Sequence, residues 1–296
     1  MEKHMESEIA AINQQSLKDK IKSYMKHPGS FILLLLVLIA AVLTVGVLVF
    51  LVGYILIRGI PYLKPSLFAW TYNSDNVSML PAMINTLFMT VLALLLSVPF
   101  GVGAAIYLVE YAKKGNKLVQ VIRITAETLS GIPSIIYGLF GYLMFVVYFK
   151  MGYSLLAGIL TLAIMILPLI MRTTEEALNA VPDMYREGSF GLGAGKLRTV
   201  FKIVLPSAIP GILSGIILSI GRIVGETAAL IYTAGTVAGI PENLTGSGRT
   251  LSVHMYALWN EGLNGKEAYA TAVVLLILVM AMNLLSGFIA GKIKKR

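Results

Sequence analysis

Long apolar runs alternate with short polar segments along the whole chain. Runs with few or no charged residues occupy positions 31–57, 83–109, 128–149, 151–171, about 207–232 and 268–290. A helix needs about 20 apolar residues to cross the hydrocarbon core of a bilayer. The pattern therefore predicts an all-α integral membrane protein with six transmembrane helices.

These spans divide the chain into segments. Residues 1–30 are predicted to form a polar tail, 31–57 the first helix and 58–82 an outer loop anchored by Trp70 and Tyr72. Residues 83–290 form a core with five further helices, and residues 291–296 a second tail. A Gly-rich outer loop from about 233 to 267 is expected to contain a short helix near residues 251–259.

The distribution of basic residues predicts the orientation. Of the 24 Lys and Arg, 18 lie in the two tails and in the connections 110–127 and 172–206, five lie in the opposite segments, and Arg222 lies inside a span. Because cytoplasmic segments carry the excess of Lys and Arg, both tails are predicted to be cytoplasmic.

Composition narrows the function. With 57% hydrophobic residues and a mean hydropathy of +0.80, the chain needs lipid as its solvent. The net charge of +9 comes from residues that flank the spans, so nucleic-acid binding is a poor interpretation. The chain has no cysteine, and its three histidines are scattered, so no metal site is predicted.

Proline and glycine interrupt several spans, most densely at Gly131-Ile-Pro133 and around Pro206 and Pro210. In lipid, the backbone groups freed by a kink must be satisfied by neighbouring helices or by cavity water, which favours helices packed around a pathway. The alternative is that Gly and Pro are simply commoner in membrane helices.

The longest predicted inner connection, 172–206, contains a short glycine-rich segment. After Pro182, residues 183–190 can form a helix, and the glycines that follow permit the close approach of another surface. The series is Glu187-Gly188-Ser189, then Gly193, Ile203, Leu205 and Pro206. It resembles the signature of bacterial ABC importer permeases and departs from it only where Gly188 and Ser189 replace two alanines. The alternative is an ordinary amphipathic connector.

The resemblance implies a type I ABC importer permease fold, with a coupling helix near 183–196 that docks into a cytoplasmic ATPase. The implied ATPase-coupling residues are Glu187, Gly188, Ser189, Gly193, Ile203, Leu205 and Pro206. Gly193-Ala-Gly195-Lys196 does not match a phosphate-binding loop, since Phe190 and Leu197 stand where Gly and Ser or Thr are required. The chain is therefore predicted to be a transport subunit with no catalytic residue and no cofactor of its own, and a partner ATPase binds ATP and Mg.

The fifth span carries a charged pair. Arg222 would lie past the middle of the span, with Glu226 one turn further along the same helix face. Gly211, Gly215 and Ser219 lie on that face too, which should face a cavity or another helix. Either Arg222 binds a passing oxyanion with the help of Glu226, or the two charges merely neutralise each other.

Arg222-Ile-Val-Gly225-Glu226-Thr227-Ala228 is similar to a segment of phosphate importer permeases, and so is the segment 131–141. The likeness spans about residues 82–290. The short N-terminal region, the modest first outer loop and the run Arg172-Thr-Thr-Glu175 favour the PstA-type subunit over the PstC-type. The likeness implies Arg222, Glu226, Ser219 and Thr227 as substrate-binding residues. It also implies three kinds of protein partner: a PstC-type permease, two PstB-type ATPases and an extracytoplasmic PstS-type phosphate-binding protein. Membrane lipid is the partner implied by the apolar spans themselves. The implied location is the cytoplasmic (inner) membrane of a prokaryote.

Three alternatives remain open at this stage. An arginine selects anions but does not separate phosphate from sulfate or molybdate. An ATP-independent secondary transporter would be expected to contain inverted repeats, and none is evident between the two halves of the chain. A non-transporting scaffold would use Arg222 and Glu226 only for helix packing.

Overall fold

The computed structural model describes residues 28–113, 115–262 and 264–294. The predicted tail 1–30 therefore lies almost entirely outside the described residues, as does the end of the tail 291–296. The chain separates into two units, residues 1–57 and 58–296. Helix α1, Pro28–Gly59, accounts for the described part of the first unit and has no charged residue between Phe31 and Ile57.

The regular structure in the described part of the second unit is helical. Its helices are α2 Leu80–Ile106, α3 Lys117–Ser130, α4 Ser134–Gly141, α5 Leu155–Asn179, α6 Asp183–Gly191, α7 Lys196–Thr199, α8 Leu205–Val224, α9 Ala228–Thr233, α10 Leu251–Asn260 and α11 Gly265–Lys294. Wider π-helical turns extend α2 to Tyr111 and α4 to Tyr148, and Val200–Val204 joins α7 to α8 in the same way. Two short 3₁₀ turns, Ile60–Tyr62 and Pro65–Phe68, precede α2.

Five helices in the described residues are long and apolar enough to cross a membrane, and the bent pair α3–α4 can supply a sixth span. The predicted spans 31–57, 83–109, 151–171 and 268–290 correspond to α1, α2, α5 and α11. The all-α fold class with six spans is confirmed in this form.

The third predicted span differs from a single helix. Instead of one helix over 128–149, α3 and α4 meet at an angle of 103°. Gly131 ends α3, and Pro133, which has no backbone N–H to continue the hydrogen-bond ladder, precedes α4. The Tyr137 hydroxyl donates across the bend to the Leu129 carbonyl at 2.9 Å. Part of the predicted connection 110–127 is therefore the helix α3.

The fifth predicted span also breaks. Helix α8 ends at Val224, and three residues separate it from the short α9. Glu226 lies in this break, where its Oε1 accepts a hydrogen bond from the backbone N–H of Ala229 at 3.0 Å. A carboxylate at that position is favourable because the first N–H groups of a helix have no partner within it. Arg222 and Glu226 are therefore not on one continuous helix face, and that expectation is wrong.

Close helix packing depends on small residues at particular positions. A Cβ added to Gly138 in α4 would lie 2.7 Å from the Cα of Ala229 in α9, and one added to Gly215 in α8 would overlap Thr173 in α5. Lipid tails are as apolar as leucine, so helices associate in a membrane through close packing rather than hydrophobic exclusion. The small-residue face of α8 predicted from the sequence packs against α5.

The outer loop between α9 and α11 is fixed to the bundle by hydrogen bonds. Asn85 in α2 donates from Nδ2 to the carbonyls of Gly239 and Arg249, at 2.8 and 3.1 Å. The Ser252 hydroxyl in α10 donates to the Glu226 carbonyl at 2.5 Å. The loop is thus tied both to α2 and to the break between α8 and α9, and α10 occupies the region where a short helix was expected.

Candidate functional site

A cavity of about 560 Å³, open to the surface of the described chain, lies beside the break in the fifth span. Three helices line it: α5, α8 and α11. The residues that line it are Leu169, Ser214, Ile217, Leu218, Gly221, Arg222 and Asn283. Its volume falls within the range of about 300–1,000 Å³ typical of small-molecule sites.

Arg222 is the cationic group of this cavity. It is half-buried in the last turn of α8, and no acidic side chain in the described part of the chain forms an ion pair with it. A charged residue at the centre of a membrane helix costs at least about 2.5–3.5 kcal/mol on insertion scales, so an intramembrane arginine without an acidic partner is a candidate functional residue. Its planar guanidinium can donate two parallel hydrogen bonds to an oxyanion.

The other three residues predicted to bind substrate occupy different environments. Ser219 is fully buried, and its hydroxyl donates to the Gly215 carbonyl at 2.9 Å. Glu226 caps α9, as described above. Thr227 is half-buried, and its hydroxyl donates to the Gly225 carbonyl at 3.3 Å. Among these four described residues, Arg222 is the one that lines the cavity.

Asn283 is a cavity residue that the sequence interpretation missed. It lies on α11, and its Oδ1 is buried without a hydrogen-bond partner among the described residues. A signal was present, because Asn283 is the only amide side chain in the apolar run 268–290. Polar side chains within membrane segments are costly and typically face the bundle interior or a cavity.

The predicted coupling segment, residues 183–196, forms an exposed protrusion that we call the knob. Helix α6 follows the end of α5, and Gly193 after it adopts a φ of +81°, a conformation that glycine reaches without steric cost. Leu192 is 91% exposed and Met184 69% exposed. Glu187, Gly188 and Pro206 are exposed, whereas Ile203 and Leu205 are half-buried.

A buried hydrogen bond holds the knob against the helix that follows it. The Ser189 hydroxyl lies 2.8 Å from the Thr199 hydroxyl, which joins α6 to α7. Val200 and Val204 then pack into a core with Leu108, Leu178 and Val181. Ser189 therefore stabilises the shape of the knob, while its neighbours remain exposed for a partner.

A salt bridge that sequence analysis missed attaches the knob to the second span. Arg186 in α6 donates from Nε and Nη2 to Glu110 Oε1 at 3.1 and 2.8 Å. Its Nη1 and Nη2 also donate to the Val181 and Leu178 carbonyls, at 2.8 and 2.9 Å. Glu110 lies in the last turn of the π-helical extension of α2. This salt bridge therefore links α6 directly to the end of α2.

The outer loop also contains a basic residue, Arg249, which is more deeply buried than Arg222. Arg249 is 4% exposed, and its guanidinium lies 4.7 Å from the centre of the Tyr72 ring. His254 packs edge-on against the same ring. Burial, and then the nearby Arg249 charge, lower the pKa of His254 from 6.5 to about 3, so this imidazole is neutral at physiological pH.

No group of three or more His, Asp or Glu side chains converges in the described part of the chain. The predicted absence of a metal site stays a prediction.

The described residues form a helical bundle with a cationic cavity and an exposed knob on one connection, an arrangement that a membrane transport subunit requires. Residues 97–296 match the family described as the binding-protein-dependent transport system inner membrane component. The chain belongs to this family. The predicted identification as an ABC importer permease is thereby confirmed.

Individual relatives agree with this assignment. The chain is 34% identical over 280 residues to the probable ABC transporter permease protein YqgI of Bacillus subtilis, covering 87% of this chain and 94% of that protein. It is 36% identical over 213 residues to the phosphate transport system permease protein PstA 1 of Mycobacterium tuberculosis, covering 70% and 69%. The phosphate transport system permease protein PstA of Pasteurella multocida is 34% identical over 236 residues, covering 77% and 82%.

Solved structures support the fold. A chain of a bacterial alginate ABC transporter, solved in complex with an alginate-bound periplasmic protein, aligns with a TM-score of 0.66 at 15% identity, covering 92% of this chain and 98% of that one. A chain of the MetNI methionine ABC transporter in an inward-facing conformation aligns with a TM-score of 0.61 at 23% identity, covering 73% and 95%. The type I ABC importer permease fold is confirmed. The chain is a multi-pass inner membrane transport subunit that works with an ATPase and a substrate-binding protein.

Proposed function

We propose that the chain is the PstA-type permease subunit of an ATP-driven phosphate importer. The proposal is supported by the relatives named as phosphate transport permeases, at about 35% identity over most of the chain. The observation that carries it is the half-buried Arg222 guanidinium, which faces a cavity between three spanning helices without an acidic partner in the described residues. An oxyanion passing through this cavity would supply the missing negative charge.

The mechanism is alternating access driven from the knob. Closure of the partner ATPases moves α6, and the salt bridge between Arg186 and Glu110 transmits that movement to α2. Through the turns Val200–Val204, the knob is also continuous with α8, which carries Arg222. One displacement can therefore rearrange both the path and the cationic group within it.

The assembly that fits this role contains a PstC-type permease, two PstB-type ATPases and a PstS-type binding protein. ATP and Mg are bound by the ATPases, because the chain has no phosphate-binding loop. The location that we propose is the inner membrane of a prokaryote, and α6 faces the cytoplasm, where the ATPases bind. The exposed apolar residues of the knob, Met184 and Leu192 among them, fit a surface that is covered by the ATPase in the complex.

The test is uptake of labelled oxyanions by the complete importer reconstituted in vesicles. Replacing Arg222 with Met should leave assembly intact and abolish phosphate uptake. Replacing the exposed Lys150 with Met removes one positive charge away from the cavity and serves as the control. Normal uptake by the Arg222→Met variant would overturn the assigned role.

Two further measurements distinguish a phosphate importer from an importer of another oxyanion and from a secondary transporter. Preferential uptake of sulfate or molybdate would keep the permease and change its substrate. Flux that persists without ATP and without the ATPase subunits would indicate a secondary transporter instead.

A further inference from the structure

The Arg222 cavity contains two groups of opposite hydrogen-bonding character. Arg222 supplies only donors, whereas Asn283 Oδ1 is an acceptor. That oxygen is buried and accepts no hydrogen bond from the described residues. A buried acceptor without a donor carries a desolvation cost, which a bound group with an O–H or N–H would remove.

The surroundings of Asn283 give no structural reason for a polar side chain. Met280, Leu284 and Leu285 beside it on α11 are apolar and more than half exposed along a helix predicted to span the bilayer. Leucine at position 283 would fit the composition of this helix without any unsatisfied group. The packing of the described residues therefore does not require an amide at this position.

Glu226, the carboxylate expected to help Arg222 bind the oxyanion, is occupied elsewhere. Glu226 accepts the N–H of Ala229 and caps α9, and it does not line the cavity. Asn283 lines the same cavity as Arg222, on the facing helix. The acceptor available to the substrate is thus on α11 rather than in the break after α8.

We propose that Asn283 and Arg222 form a two-point site that selects a protonated oxyanion: Arg222 donates to its charged oxygens, and Asn283 Oδ1 accepts its O–H. This inference rests on the proposed function. Hydrogen phosphate and dihydrogen phosphate keep at least one O–H at neutral pH, whereas sulfate and molybdate have none. An oxygen of these deprotonated anions would face the lone pairs of Oδ1 with no proton between them, which disfavours their binding.

Monofluorophosphate is the sharpest probe of this geometry. It has nearly the size and charge of hydrogen phosphate, but fluorine replaces the O–H group, so it offers Asn283 no donor at neutral pH. Binding is measured on the purified complex of permeases and ATPases without the binding protein, because the binding protein has a selectivity of its own. Labelled phosphate is displaced in turn by phosphate, monofluorophosphate and sulfate.

We expect the wild-type complex to prefer phosphate over monofluorophosphate by about tenfold or more, as for a site that hydrogen-bonds a substrate hydroxyl. Asn283→Leu should reduce this preference to about twofold or less, while binding remains sensitive to Arg222→Met. Asn260→Leu, at an exposed asparagine that ends α10, is the matched control and should keep the wild-type preference.

Asn283→Asp provides a second variant in case leucine disturbs assembly. A carboxylate still accepts the O–H, so the preference for phosphate over monofluorophosphate should persist. Its negative charge should favour dihydrogen phosphate over hydrogen phosphate, which moves the pH of tightest binding downward.

The outcomes distinguish this inference from the proposed function. If phosphate binding depends on Arg222 but the preference is unchanged in Asn283→Leu, or lost in Asn283→Asp, the role of Asn283 is refuted and the permease assignment stands. If Arg222→Met leaves phosphate binding unchanged, the site itself is refuted, and the proposed function fails with it.

Discussion

Replacing Glu110 with glutamine tests the link between the knob and the second span. In the native chain, Arg186 donates two hydrogen bonds to Glu110 Oε1, and the two side chains are only 15% and 8% exposed. Glutamine keeps an acceptor of nearly the same shape but removes the negative charge. The change therefore tests the ion pair with little disturbance of the packing.

The expected loss of free energy depends on the hydrogen bonds that Arg186 keeps in the variant. Breaking a buried ion pair by removing one partner costs about 3–5 kcal/mol. In this variant two backbone carbonyls and Asp183 still accept from Arg186, and the glutamine oxygen retains one acceptor position. We therefore expect a loss of about 2–3 kcal/mol in the docking of α6, which is about 30- to 140-fold in its opening equilibrium.

Hydrogen exchange of the α6 backbone amides measures this opening directly. In the reconstituted importer, the Glu110→Gln variant should also transport less phosphate per ATP hydrolysed, because α6 moves without pulling α2. Glu176→Gln is the matched control, since Glu176 pairs with Arg172 where both side chains are about half exposed or more. Such exposed pairs contribute about 0.5 kcal/mol. Wild-type exchange and wild-type coupling in Glu110→Gln would refute the proposed transmission path.

Two further predictions concern stability. Gly215→Ala should destabilise the helix bundle by about 1–3 kcal/mol, because its Cβ would overlap Thr173, and a thermal unfolding measurement should show Gly103→Ala, which has open space around it, to be harmless. His254 stays neutral in the folded chain down to about pH 3 but takes up a proton below about pH 6.5 when unfolded. Its contribution is therefore complete above pH 6.5 and decreases as the pH falls toward 3. The His254→Gln variant should lose less thermal stability than the wild type between pH 7 and 4.5, and parallel curves would contradict this assignment.

Local sequence patterns were sufficient for the parts of the fold that depend on composition. An apolar run of some 20 residues has few alternatives to a spanning helix in lipid, so α1, α2, α5 and α11 could be predicted from length alone. The knob was predictable because its glycines and its spacing lie within one connection. Gly193 shows why, since its positive φ is a local requirement of the turn.

Breaks and bends within a span could not be predicted in this way. Gly225 and Glu226 continue the small and polar stripe of α8 when the span is drawn as one helix, yet the helix ends before them, and Glu226 caps α9. The bend at residues 131–133 had a signal in its glycine and proline, but a kink signal does not give an angle of 103°.

Contacts between residues far apart in the sequence could not be predicted either. Arg186 and Glu110 are 76 positions apart, and neither position indicates the other in a single sequence. Asn283 stood out as a lone amide in its run, but only the packing of α11 beside α8 places it in the cavity of Arg222. The cationic residue of the candidate site was therefore predictable, whereas its acceptor was not.

Cysteine protection in the cavity tests the central claim most directly. Because the chain has no cysteine, a Ser214→Cys variant carries a single thiol in this subunit at the Arg222 cavity, and Ser207→Cys places one on the same helix outside it. The remaining subunits are used in cysteine-free form, and a water-soluble thiol reagent is applied with and without phosphate. The account predicts that phosphate slows labelling of the Ser214→Cys variant and leaves the Ser207→Cys variant unchanged. Labelling of Ser214→Cys at the same rate with and without phosphate would contradict it.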